Sequence, residues 1–274
     1  MKKIAIPLAG ALIGATFTLS SIYELINPIY YRDNVSQEYR AKFEQELEDY
    51  APRIKRRFPA EGNPKLTVGI TLYVDAEFKR NQDSRINPFD DDSWEDLLES
   101  SLEKSAKSLT EEFEVGLDIN EVKPWNPEVK PKTKTKNLLY TLEKEDPPTE
   151  GAIAIIGRHI PDTYIGMATK EKHKGKYYTV VRDEKYLTEL RVINASPLTT
   201  LITHELSHWL GATDIFPPKK GCSTAQNRET SIMDYCQNPP KLVWDQANKT
   251  TMRETVKRLI EEKHPRKDLK TKQR

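Results

Sequence analysis

An α/β fold is predicted, because short β-branched runs alternate along the chain with long amphipathic stretches. Three segments carry that expectation. Leu66 to Val74 alternates and is β-branched enough for a strand, and Gly151 to Ile156 is a continuous apolar run of buried-strand length. Ser93 to Phe113 is a long helical pattern with a capping serine and acidic residues in its first turn. A chain of 274 residues can bury a substantial core and permits one or two domains.

At the start, Lys2-Lys3 precede an almost uncharged stretch from Ile4 to Tyr23. A basic end before an apolar run makes an export signal, and this run is nearly long enough to span a bilayer. No clean Ala-x-Ala site follows it, and the best small-x-small candidate is Thr18-Leu19-Ser20. A cleaved signal peptide and an uncleaved signal anchor over residues 1–23 both stand. Either one predicts a secreted or an extracytoplasmic membrane-anchored protein. Residues 24–64 form a charged segment in which Tyr39, Phe43, Leu47, Tyr50 and Ile54 recur at helical spacing. An amphipathic helix is therefore expected over residues 34–58, ending near Pro59 and the Gly62-Asn63-Pro64 breaker. It is read as a stalk, a pro-like segment, or an extra helix packed on the main domain, and the packed helix is favoured.

After Phe113, Val115 to Trp125 is expected as a second strand and the Pro- and Lys-rich stretch from Pro124 to Lys136 as a loop. Asn137 to Glu145 reads as a short helix. Tyr164 to Thr169 and Tyr177 to Arg182 read as a hairpin pair around a lysine-rich turn. A short segment from Glu184 to Asn194 leads into a helix predicted from Pro197 to Leu210, with Ser196 as cap and the proline in the first turn. Val243 to Glu262 is expected as a closing helix, and residues 264–274 as a solvated basic tail.

Charge excludes little but directs attention elsewhere. Forty-three Lys and Arg against 42 Asp and Glu leave a net charge of +1, so no global field argues for nucleic acid or for an acidic substrate. A monomer is expected. The two cysteines, Cys222 and Cys236, could form one disulfide worth about 3 kcal/mol, remain free thiols, or belong to a second metal site that lacks obvious partners. Sequons at Asn34, Asn194 and Asn248 are compatible with export, although Pro197 close behind makes Asn194 a poor acceptor.

Function is concentrated in residues 204–214, His-Glu-Leu-Ser-His-Trp-Leu-Gly-Ala-Thr-Asp. On a helix His204 and His208 lie one turn apart on one face, so both imidazoles can grip one metal ion with Glu205 beside it. Ile202, Leu206 and Trp209 form an apolar stripe that can bury and hold the histidine face toward a cleft. Gly211 can take a positive φ, and the reversal can return Asp214 as a third ligand. Three protein ligands leave a fourth position for water, as a catalytic zinc site requires. His159, His173 and His264 carry no such spacing and read as surface or locally bonded residues.

Some two dozen residues further on stands Ser231-Ile232-Met233-Asp234-Tyr235. The joint pattern HExxHxxGxxD and SIMDY resembles the metzincin clan of zinc endopeptidases, whose hallmark is a methionine-containing turn beneath the metal. The usual third ligand of the clan is a histidine; Asp214 in its place is similar to the snapalysin-like branch, considered together with the matrixin-like one. No cysteine lies upstream to form a matrixin-type switch. The resemblance implies an α/β catalytic domain with a twisted mixed sheet and long helices over residues 65–263, although its specific motifs span only 204–235. It also implies zinc as cofactor, His204, His208 and Asp214 as ligands, and a protein or peptide substrate. Glu205 would serve as general base and then acid in a metal-assisted hydrolysis. Tyr235 occupies the spacing at which astacin-like and serralysin-like members place a tyrosine that reaches the metal or the intermediate; the alternative is a packed core tyrosine. Tyr164 to Ala168 looks like the edge strand on which metzincins dock an extended substrate, with the Met167 N–H as a candidate donor. A noncatalytic surface binding protein retaining the same fold is the rival reading, and retention of Glu205 speaks against it.

Overall fold

The computed structural model describes residues 35–83, 93–128, 133–158, 160, 166–169, 172–173, 175–182, 197–215, 231–234 and 242–264. All belong to a unit that begins at Val35. The expectations for residues 1–23, Asn34, Ser196, Asn194, Cys222, Cys236 and Tyr235 therefore lie outside the described residues. Among the described residues, no helix is long and apolar enough to cross a membrane.

Six strands form one mixed sheet: β1 (Arg57–Phe58), β2 (Leu66–Val74), β3 (Val115–Pro124), β4 (Gly151–Ile156), β5 (Gly166–Ala168) and β6 (Tyr177–Arg182), in the order β1-β3-β2-β4-β6-β5. The four inner strands run parallel, and β1 and β5 are antiparallel to their neighbours. Sequence composition follows this placement. β4 and β6 are buried at every residue, as parallel strands covered on both faces must be, whereas β2 alternates only over its first residues before burying completely. The predicted hairpin is present as the β5–β6 pairing, with Gly166 opposite Val181 and Ala168 opposite Thr179.

Among the described residues six helices accompany the sheet: α1 (Gln37–Ile54), α2 (Ala76–Asp83), α3 (Trp94–Phe113), α4 (Thr135–Lys144), α5 (Pro197–Trp209) and α6 (Gln246–Lys263). Ser93 caps α3 as its sequence predicts, and Ser36 and Asp245 likewise accept a backbone N–H from the first turn of α1 and α6. Side chains alternate between two cores. Ile153, Ile155, Tyr177 and Val181 join Phe43, Leu102, Ile202 and Met252 on one face, while Ala152, Ala154, Ile156, Tyr178 and Val180 meet α4 through Leu138, Leu139 and Leu142 on the other. Helix α1 is part of the first core. Phe43 and Tyr50 both contact Trp94, with ring centroids 5.7 and 5.3 Å away, and the Tyr50 hydroxyl donates to the Glu95 carbonyl.

The His204-Glu205-x-x-His208 motif sits on α5, which α3 holds through small hydroxyl side chains. Thr199 Oγ1 lies 3.2 Å from Ser101 Oγ, Thr203 Oγ1 lies 2.9 Å from Ser105 Oγ, and Ser105 donates to the Thr199 carbonyl. Ser207, one turn further, receives the Trp244 indole N–H at 2.8 Å. Residues 199, 203 and 207 recur every fourth position, so one stripe of α5 is polar yet buried and hydrogen-bonded, as buried polar groups must be. A second stripe, Ile202, Leu206 and Trp209, is apolar and buried.

Candidate metal centre

The helix geometry places His204 and His208 together, with ring centroids 5.1 Å apart and planes nearly perpendicular at 86°. Helix α5 then ends at a turn in which Gly211 adopts φ +89° and donates to the His208 carbonyl. That left-handed conformation strains any residue with a Cβ, which explains the glycine. The reversed chain returns Asp214 Oδ1 to 3.1 Å from His204 Nε2 and 3.3 Å from His208 Nε2. One ligand atom from each of the three residues lies within 4.8 Å of the others, so the set could hold a metal ion.

Backbone carbonyls decide which ring nitrogens face inward. His204 Nδ1 lies 2.8 Å from the Ile232 carbonyl oxygen, and His208 Nδ1 lies 2.8 Å from that of Ala212. A carbonyl only accepts, so each Nδ1 carries the proton and a neutral ring turns a lone pair inward from Nε2. With both rings neutral, two such lone pairs and a carboxylate oxygen converge, which is the ligand chemistry a divalent cation satisfies. Charge is distributed accordingly. Burial works against the Asp214 carboxylate, but its contacts with His204 and His208 outweigh that and hold it well below the usual carboxyl range. Burial likewise opposes a charge on His204, yet Asp214 and Glu205 together raise its pKa.

Glu205 sets its carboxylate against the sheet, within electrostatic reach of His204, His208 and Asp214. It is only 4% exposed, and its Oε2 is buried with no hydrogen-bond partner. Desolvation pushes its pKa up, while His204 and His208 pull the other way. Its carboxylate rests against Gly166 of β5, and one turn along α5 Trp209 rests against Gly151 of β4 and stacks on Tyr177 at 5.4 Å.

Residues 231–234 form the turn expected around Met233, which is fully buried. Its link to the site is the Ile232 carbonyl that orients His204. The turn is tied down at both ends, since Met233 O accepts from Ile215 N at 2.7 Å and Ser231 Oγ donates to Asp245 Oδ2 at 2.9 Å. Asn248 completes the frame. Its Oδ1 accepts from Thr213 N at 2.8 Å, and its Nδ2 donates to Thr213 O at 3.1 Å and to Asp245 Oδ2 at 2.7 Å. The residue immediately before Asp214 is thus clamped by both of its backbone groups. Asn248 is 5% exposed with its amide fully engaged, so in the folded chain it cannot act as the glycan acceptor that its sequon suggests.

The four motif residues His204, Glu205, His208 and Asp214 are brought together as the spacing predicts. His173 and His264 are exposed and stand apart from them. The sequence reading did not find Ile232 and Ala212 as carbonyl acceptors, Gly166 as the neighbour of Glu205, or Asn248 as a clamp. A correction concerns Met167. Thr169 N donates to Tyr178 O of β6, and alternation turns the Met167 N–H to the same side, which leaves the Gly166 and Ala168 N–H groups on the outer edge of the sheet.

No family model and no curated protein matches the chain. Among solved structures it is similar to archaemetzincin from Methanopyrus kandleri, at 15% identity over 70% of this chain and 96% of that one, with a TM-score of 0.40. It is also similar to metalloproteinase-II from Bacteroides fragilis, at 12% identity over 72% of this chain and 55% of the other, with a TM-score of 0.43.

Proposed function

We propose that the chain is a zinc-dependent endopeptidase. One observation carries the reading: beside a two-histidine, one-carboxylate ligand set, a glutamate is buried with a bare carboxylate oxygen. A site that only held metal would have no use for Glu205, because keeping an unpartnered carboxylate out of water is costly. His204, His208 and Asp214 would hold the ion, and zinc bound there would supply Lewis acidity to a water and to a peptide carbonyl. Glu205 accepts the proton of the attacking water as the new C–O bond forms, and returns it to the amine nitrogen as the C–N bond breaks. Its raised pKa suits a group that must both take and give a proton near neutrality. The outer N–H groups of β5 would pair with an extended peptide. Tyr235, two residues past Met233, would donate to the developing oxyanion. On that role Tyr235→Phe lowers kcat by about a hundred- to a thousandfold with KM little changed, and a wild-type kcat would reduce the residue to packing.

The decisive experiment is metal analysis of the purified protein with a peptide-library screen, run with and without chelator. Glu205→Gln should keep stoichiometric zinc and lose cleavage. A fully loaded wild-type protein that cleaves no peptide would overturn the proposal in favour of a noncatalytic binding role.

A further inference from the structure

We propose that Gly166 is a positioning residue whose missing side chain forms the seat for the Glu205 carboxylate. A Cβ at position 166 would lie 2.4 Å from Glu205 Oε1 and 2.8 Å from both its Cδ and its Cγ, and these are the three nearest atoms. The backbone does not require glycine here. Gly166 lies in an extended strand paired with Val181 and is not among the residues with positive φ, so the backbone admits alanine and the nearest obstacles to it all belong to Glu205. Nor can the glutamate swing aside into water, since it is 4% exposed and its second oxygen is also buried.

A second notch on the same helix face gives the comparison. A Cβ at Gly151 would lie 2.8 Å from Trp209 Cη2, four residues beyond Glu205. Two glycines thus let α5 settle on the sheet, one under an indole and one under a carboxylate. The Gly151 notch serves packing. The Gly166 notch fixes where the proton acceptor stands relative to the candidate ligands, and in that sense the inference rests on the reading of Glu205 as base.

A stability cycle on the metal-free protein tests the seat independently of catalysis. Gly166→Ala should lower Tm in the wild-type background and in Glu205→Gln, where the side chain has the same size, but not in Glu205→Ala, where the obstructing atoms are gone. Gly151→Ala should lower Tm equally in all three backgrounds. In the zinc-loaded enzyme, Gly166→Ala should keep metal and KM while kcat falls on the order of a hundredfold, as for a reacting group misplaced by about 1 Å. An equal Tm loss in the Glu205→Ala background, or an unchanged kcat, would overturn the seat. A wild-type protein inactive on every peptide would instead overturn the endopeptidase reading, with the stability cycle still deciding whether Gly166 seats Glu205.

Discussion

At the scale of single residues, the grouping of the candidate ligands could be read from spacing, but what holds them in place could not. His204 and His208 recur at helical spacing, and Gly211 announces the reversal that returns Asp214. The groups that orient them sit far away in sequence: the Ile232 carbonyl is 28 residues from His204, and Asn248 is 35 residues from the Thr213 backbone it clamps. No local pattern marks a carbonyl that accepts from a histidine or an asparagine that braces a loop. Because Asn248 fixes the backbone next to Asp214 without being a ligand, Asn248→Ala should weaken zinc binding by about 10- to 100-fold while leaving one site per chain. Competition titration against a chelating dye measures this, and wild-type affinity in that variant would remove Asn248 from the metal centre.

At the scale of elements, strands and long helices were legible wherever periodicity extended over enough residues. β4 and β6 match their expected ranges, and α3 begins one residue after its predicted cap. Helix α2 was missed because its eight residues bury only Ala76, Glu77 and Phe78, too few for a helical stripe to register. The polar face of α5 was equally invisible, since Thr199, Thr203 and Ser207 look like a solvated stripe until α3 and Trp244 are packed against them. Which edge of β5 is free depended on its register with β6. On that register Ala168→Pro removes an outward N–H and should raise KM for long peptides with zinc retained, whereas Met167→Pro breaks the β5–β6 ladder and should lower stability. Unchanged KM in a folded Ala168→Pro protein would exclude β5 as the docking edge.

For the whole molecule, α1 and the first core stand or fall together. Phe43, Leu47 and Ile54 are fully buried in the same cluster as Leu102 and Ile202, and Val35 N donates to Glu77 across the start of α2. Truncating a buried aromatic of this kind costs about 3–5 kcal/mol, so Phe43→Ala should sharply lower the urea midpoint of the entire unit in one transition. A separate early transition with an intact second one would mark α1 as a dispensable appendage. Alkali should act on the same scale. Burial, aided for Tyr39 by the Asp83 carboxylate and for Tyr73 by Glu145, raises both phenols from 10.0 to about 12. In the unfolded chain they ionise near 10, so the stability they lend is complete below that pH and disappears as pH rises through about 12. Urea midpoints should therefore fall between about pH 10 and about pH 12, and a flat profile would contradict the shifted values.

The clamp made by Asn248 also bears on how the protein can be produced. The tripeptide Asn248-Lys249-Thr250 is a glycosylation signal in the nascent chain, before α6 forms, and becomes inaccessible once the amide locks onto Thr213. In a host whose secretory route adds N-linked glycans, modification and folding thus compete for one nitrogen, and every chain glycosylated first is excluded from the native loop. Such a host should yield a heavier, misfolded fraction alongside a native one. Thr250→Val, which erases the signal at an exposed helix position and keeps Asn248, should convert the yield to the native form.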